Sequence, residues 1–132
     1  MQIIFLYAAT LIVFAVLDAI MLTNVMKPLF EKHLGDMIRS PINFVPAAVF
    51  YLFYIAGILY LVSLPALRDG SVVSAAIGGA VLGAVAYGTY EFTSMSVMRD
   101  WSWQMVITDT TWGAVLTATS AAAGVWAVKT FG

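Results

Sequence analysis

The sequence predicts an all-α integral membrane protein folded as an up-down bundle of four helices. Of its 132 residues, 62% are hydrophobic and only 10% are charged, and the mean hydropathy is +0.95. Soluble domains carry about 25% charged residues, so this composition places the chain in a lipid bilayer. Four stretches are apolar over the roughly 20 residues that a helix needs to cross the hydrocarbon core.

The four predicted spans lie at approximately residues 3–26, 42–64, 72–96 and 104–128. The first stretch has no basic segment before its apolar run and no small-residue cleavage site after it, which predicts a retained span and not a signal peptide. A polar connection, residues 27–41, follows it. The two later connections are short, which favours antiparallel neighbours. Residues 1–132 are therefore expected to form a single transmembrane domain.

Charge predicts the orientation and excludes one class of partner. The connections at residues 27–41 and 97–103 contain the basic residues Lys27, Lys32, Arg39 and Arg99. The opposite side carries fewer, so the positive-inside rule predicts that both connections are cytoplasmic in a multi-pass protein of the inner (cytoplasmic) membrane. A net charge of −1 without a basic run excludes a nucleic-acid partner and leaves the lipid bilayer as the expected surroundings.

Small residues recur every four positions in the third and fourth spans. The third carries Ala75, Gly79, Gly83 and a second row Ala76, Ala80, Ala84, Gly88, and the fourth carries Gly113, Thr117, Ala121 and Ala114, Ala118, Ala122. Such rows let helix backbones approach closely in lipid. They predict that the third helix is the packing hub. They leave open whether the rows serve one bundle only or also a homo-oligomer.

Three carboxylates, Asp18, Glu91 and Asp109, lie inside predicted spans. Insertion of such a group costs at least about 2.5 to 3.5 kcal/mol, so each is expected to have a partner or a function. The first and third helices run toward the side from which the fourth begins, and at about 1.5 Å per residue the three acids reach a similar depth. The sequence thus predicts one shared site, whose repulsion a proton, a cation or a basic side chain would offset.

Polar and aromatic residues around the acids complete the predicted site. Those expected to contact a ligand or ion with the acids are Tyr87, Tyr90, Thr93 and Trp112. Those expected to support it are Asn43, Tyr54, Arg39, Arg99 and Trp101. Tyr51 and Tyr54 share a helix face and lie too deep for a simple interfacial belt, which leaves an inward orientation open. With one histidine and no cysteine, no metal site is predicted, and no cofactor is indicated.

Simpler roles remain open for two of the acids. Asp109 could cap the start of the fourth helix, and Glu91 could extend toward the third connection and pair with Arg99. Asp18 has wholly apolar neighbours, Ala15-Val-Leu before it and Ala-Ile after it, so a role inside the bundle is expected.

The segment Tyr87-Gly-Thr-Tyr-Glu-Phe-Thr-Ser94, with the later Asp109-Thr-Thr-Trp-Gly113, resembles the signature of a family of bacterial four-helix membrane proteins of unknown function. That signature reads Tyr-Asp-x-Thr-Asn, then Trp, then Asp-x-x-Trp-Gly, with Asp-x-x-Trp in the first helix. The matching positions are Asp18, Tyr90, Thr93, Trp101, Asp109, Trp112 and Gly113. The chain differs by Glu91 for Asp, Ser94 for Asn and Met21 for Trp. The resemblance covers nearly the full length and implies the fold, but no activity.

Three functions stay open on the sequence. The first is binding or transport of a small molecule, a cation or protons at the intramembrane site, in an oligomer. The second is an accessory or assembly subunit of a larger membrane complex, with the acids paired to a partner's basic groups. The third is a lipid-modifying enzyme that uses the acids as general acid and base. The sequence has no nucleophile motif or phosphate-binding loop, which favours a non-enzymatic role.

Overall fold

The computed structural model describes residues 2–21, 23–24, 45–69, 71–99 and 101–131, and these are almost entirely helical. Helix α1 is Gln2–Met21, α3 is Val72–Val97 and α4 is Trp103–Phe131. Helix α2 joins three consecutive segments, Val45–Ile58, a π-helical turn Leu59–Ser63, and Leu64–Asp69. All four helices are long and apolar enough to cross a membrane. The predicted all-α membrane bundle is therefore confirmed.

Helices α3 and α4 begin at serine residues that cap their first turns. The Ser71 hydroxyl accepts a hydrogen bond from the backbone N–H of Ser74 at 3.0 Å. The Ser102 hydroxyl accepts one from the backbone N–H of Met105 at 3.2 Å. A serine in this position satisfies an N–H group that has no partner within the helix. These caps place both helix starts within one residue of the predicted spans.

Helix α2 continues past Leu64, where the predicted span ended. A proline lacks an N–H group, and its ring crowds the carbonyl group four residues earlier. The π-helical turn ends at Ser63, and the backbone N–H of Leu64, the residue between it and Pro65, donates to the carbonyl oxygen of Leu59, five residues back. This wider turn carries the helix through Pro65 to Asp69. The predicted end at residue 64 was therefore wrong.

The tightest contact in the bundle joins the backbones of α3 and α4. A Cβ atom at Gly79 would lie 2.8 Å from the carbonyl oxygen of Thr117, and one at Gly83 would overlap the carbonyl oxygen of Gly113. Only glycine allows this approach, because any other residue places a carbon atom there. The predicted small-residue rows at Gly79 and Gly83 thus pack against Gly113 and Thr117 of the antiparallel neighbour.

The packing hub is α4, and the prediction that α3 would be the most contacted helix was wrong. Helix α3 packs chiefly against α4, whereas α4 also packs along α1 and against the second half of α2. At Gly124 a Cβ atom would overlap the hydroxyl group of Thr10 on α1. The small rows bring α3 to one side of α4, and Gly124 opens a second close approach on another side.

Aromatic side chains fill the space between α1 and α2. Phe14 is fully buried, and its ring meets those of Tyr51 and Tyr54 edge to face at centroid distances of 5.2 and 5.6 Å. The outer faces of the helices carry exposed apolar side chains, Phe53 and Ile77 among them. In a bilayer these faces meet lipid chains, which do not penalise apolar exposure.

Antiparallel packing gives the bundle two ends. We call the end where α3 stops and α4 starts, at Val97 and Trp103, the α3–α4 side. The end where α2 stops and α3 starts, at Asp69 and Val72, is the α2–α3 side.

We expect Lys32→Cys and Arg99→Cys to react with a membrane-impermeant thiol reagent from the same face of the membrane. Arg68→Cys, on the α2–α3 side, should react only from the other face. The natural chain contains no cysteine, so it is an unlabelled background. Labelling of the first two positions from opposite faces would contradict the even number of spans.

Candidate functional site

Asp18 of α1 receives hydrogen bonds from two other helices. The Tyr51 hydroxyl of α2 donates to Oδ2, and the Trp112 indole Nε1 of α4 donates to Oδ1 at 3.2 Å. Asp18 is 9% exposed. Each carboxylate oxygen therefore has a protein donor, as a buried acid requires. These two bonds make Asp18 the point where α1, α2 and α4 meet.

Glu91 of α3 is completely buried. The indole Nε1 of Trp101, in the connection just before α4, donates to Oε1 at 2.9 Å. The other oxygen, Oε2, is buried and receives no hydrogen bond from the described part of the chain. The Trp101 ring is held edge to face against Tyr90, with the centroids 5.7 Å apart. The α3–α4 connection thus folds back over the acid.

This burial contradicts the alternative in which Glu91 reaches the surface to pair with Arg99. Glu91 points toward Trp101 inside the bundle, whereas Arg99 is exposed. An indole N–H within 2.9 Å satisfies one carboxylate oxygen locally, so the side chain has no need to extend to the membrane surface.

Asp109 of α4 lies between the other two acids. It is 8% exposed, and its carboxyl group lies within electrostatic range of both Glu91 and Asp18. The three acids thus form a row with Asp109 in the middle. Because Ser102 caps α4 and Asp109 lies in its second turn, the alternative that Asp109 caps the helix was wrong.

The contact between Glu91 and Asp109 has a chemical consequence. A carboxylate can only accept hydrogen bonds, so two carboxyl groups can bond to each other only when one of them carries a proton. Away from water, two adjacent negative charges also repel strongly, which favours sharing one proton between them. A proton on either of the two groups would remove this repulsion.

Tyr87 of α3 is an aromatic residue that lies near two of the acids. Its ring packs on Gly113, where a Cβ atom would overlap it, and it lies within electrostatic range of Asp18 and Asp109. The Tyr54 ring is next to it, with centroids 6.1 Å apart. The Tyr54 hydroxyl does not contact the acids but forms a hydrogen bond with Thr117 Oγ1 at 2.9 Å, eight residues after Asp109 on α4.

A family model described as "Predicted membrane protein (DUF2177)" matches residues 3–126, a range that contains most of each of the four helices and all three acids. This chain belongs to the DUF2177 family. The membership confirms the resemblance found in the sequence. No curated protein and no solved structure matches the chain.

The structure does not bring every predicted residue of this DUF2177 chain to the acids. Thr93 and Arg99 are exposed. Tyr90 is half exposed, but its ring packs against Trp101 and it lies within electrostatic range of Glu91 and Asp109. Asn43 and Arg39 lie outside the described residues. Tyr51 was not among the predicted site residues, although it donates to Asp18. Its spacing of three from Tyr54, which puts both on one helix face, was the signal that could have included it.

Metal binding is not supported by the geometry of the row. In the described ranges, no three histidine, cysteine, aspartate or glutamate side chains come together as ligands of one ion. Hard cations such as Ca²⁺ and Mg²⁺ take six or more oxygen ligands, and no group of three acids in the described ranges is close enough to supply them together. What the row offers is hydrogen-bonding oxygen atoms shielded from lipid and water.

Proposed function

We propose that this membrane protein binds protons at an intramembrane carboxyl site formed by Glu91, Asp109 and Asp18. The observation that carries the proposal is the environment of Glu91. This side chain is fully buried, its Oε2 receives no hydrogen bond from the described part of the chain, and the Asp109 carboxyl group lies beside it. A proton shared by the two groups satisfies both at once.

The surroundings of the row favour a proton over a larger ligand. Trp101, Trp112 and Tyr51 already donate to the acids, and their rings occupy the space beside them. A small molecule would have to displace these donors, whereas a proton needs only two neighbouring oxygen atoms. Intramembrane acids of this kind mark the proton relays of pumps and transporters.

The three acids are expected to differ in what they do. Asp18 is held by two donors, which fix the orientation of its carboxyl group. Asp109 interacts with both neighbours, so it is the group through which a proton passes between Glu91 and Asp18. On the predicted orientation in an inner membrane, the α3–α4 side faces the cytoplasm, and Trp101 covers the site from there.

The accessory-subunit role receives less support from the same contacts. In that role the acids pair with basic groups of a partner, which requires them to reach the bundle surface. All three are at most 9% exposed.

We expect infrared difference spectra of the protein in nanodiscs to show that Glu91 and Asp109 titrate as a coupled pair. The measured signal is the C=O stretch of protonated carboxyl groups, followed through a pH titration and after exchange into D₂O. Because a shared proton belongs to both groups, Glu91→Gln should shift or remove the band of Asp109, and Asp109→Asn that of Glu91.

The matched control is Asp69→Asn, at the exposed end of α2, which should leave these bands unchanged. If each amide variant removes only its own band and leaves the other acid at the same frequency and midpoint, the shared site is wrong.

A further inference from the structure

Buried hydroxyl groups without partners continue beyond the acids, into the half of the bundle nearer the α2–α3 side. Thr10 of α1, Ser63 of the π-helical turn in α2, and Ser120 of α4 are each 0% exposed. None of their oxygen atoms has a hydrogen-bond partner in the described ranges. Helices α1, α2 and α4 therefore each place one unsatisfied hydroxyl group in this half of the bundle.

Such groups are unusual, because a buried polar atom without a hydrogen bond costs free energy. A threonine or serine in a helix commonly bonds to a carbonyl group of its own preceding turn, as Thr89 does to Val85 at 2.6 Å. The three buried hydroxyl groups do not do this. They are left available to a group that enters the interior, and water is the molecule that unsatisfied buried hydroxyl groups bind in proteins.

One face of α4 connects these hydroxyl groups with the acids. Along it lie, at spacings of four, four, three and four residues, Asp109, Gly113, Thr117, Ser120 and Gly124, all of them buried. At about 1.5 Å per residue this row extends over roughly 22 Å, most of the thickness of a hydrocarbon core. Its middle is the hydrogen-bonded pair of Tyr54 and Thr117.

The glycines on this face of α4 let side chains of α3 and α1 pack directly against the α4 backbone. At Gly113 the Tyr87 ring lies directly against the backbone, beside Asp109. At Gly124, the last residue of this face, the Thr10 hydroxyl lies directly against the backbone of α4. The π-helical turn that carries Ser63 also packs against α4. Such turns are frequent at functional sites, because they redirect a side chain without ending the helix.

We propose that the buried hydroxyl groups of Thr10, Ser63, Thr117 and Ser120 form a proton path. This path connects the carboxyl site with the α2–α3 side, so that the protein conducts protons across the membrane. The inference rests on the proposed proton-binding function. A proton that enters at Glu91 and Asp109 passes to Thr117, Ser120 and Thr10 through intervening water molecules. Each hydroxyl group accepts one proton as it gives up its own, so the path gains no net charge and needs no other reactant.

The test uses the full chain in lipid vesicles that contain a pH-sensitive dye. Valinomycin and a K⁺ gradient impose an inside-negative potential, and internal acidification reports proton entry. We expect the natural protein to acidify the vesicles faster than protein-free vesicles do. Ser120→Ala and Thr10→Val, which remove hydroxyl groups and keep the side chains small, should reduce this flux to nearly that of protein-free vesicles.

Thr119→Val is the matched control, because Thr119 is exposed on the same helix next to Ser120 and is expected to keep the natural flux. The infrared signal of the Glu91–Asp109 pair is measured on every variant and should persist when a hydroxyl group is removed. If a variant of α1 or α4 does not fold, Ser63→Ala on α2 replaces it in the flux measurement and is expected to reduce the flux.

The outcomes separate the two proposals. No flux above protein-free vesicles, with the infrared signal of the pair intact, overturns the path and leaves the proton site standing. A flux that Ser120→Ala, Thr10→Val and Ser63→Ala all leave unchanged also overturns it. Absence of the paired infrared signal in the natural protein overturns the proposed function and the path with it.

Discussion

Replacing Gly83 by alanine is expected to destabilise the bundle by about 3 kcal/mol, the upper part of the range for inserting a carbon atom into a packed interior. The added Cβ atom would overlap the carbonyl oxygen of Gly113 and come within 2.8 Å of Thr117 Oγ1. The obstacle is backbone, which cannot turn aside as a side chain can. Helices α3 and α4 must therefore separate along their closest contact.

Thermal or denaturant unfolding in a mild detergent measures this loss. Gly57→Ala is the matched control, because a Cβ atom at Gly57 meets no other atom within 4 Å. That variant should be as stable as the natural protein or slightly more stable, since alanine favours a helix. Equal stability of Gly83→Ala and Gly57→Ala would contradict the close crossing of α3 and α4.

The second large effect is expected at Asp18, from removal of the two groups that donate to it. Tyr51→Phe and Trp112→Phe each delete one hydrogen bond to a carboxylate. Bonds to charged groups contribute about 1.5 to 3 kcal/mol each. We expect each single variant to lower the free energy of unfolding by an amount in this range. The double variant should differ from the sum, because both act on one carboxyl group.

Tyr60→Phe removes a hydroxyl group from the same helix at a position that is 76% exposed, and it should change stability little. Unfolding of the four proteins in one detergent completes the double-mutant cycle. Strict additivity of the two substitutions would mean that Tyr51 and Trp112 do not share Asp18 as their acceptor.

The acids show how far sequence reasoning reaches in this protein. Helix length alone predicts a similar depth for Asp18, Glu91 and Asp109, and all three side chains are buried in the structure. Their partners could not be predicted. The indole N–H of Trp101 reaches Glu91 because the connection before α4 folds back, and nothing in the spacing of ten residues specifies that fold. The alternative in which Glu91 pairs with Arg99 is contradicted by this contact.

Helix α4 has one close contact that the sequence predicted and a second that it did not. The rows that contain Gly79 and Gly83 predicted a close crossing of α3 and α4, and that contact is present. The rows could not show that α4 has a second partner. The approach of Thr10 to Gly124 depends on where α1 lies around α4, which no residue pattern within one helix encodes.

Composition and hydrophobic length by themselves determined that this chain forms four membrane-spanning helices, because the bilayer imposes one length and one hydrogen-bonding solution on every span. They also determined that acids lie inside those spans. Only the tertiary structure decided which side chains donate hydrogen bonds to Asp18 and Glu91. Hydrogen bonds depend on the rotation of each helix about its axis, and that rotation is set by packing between helices, most of all at the glycines of α3 and α4.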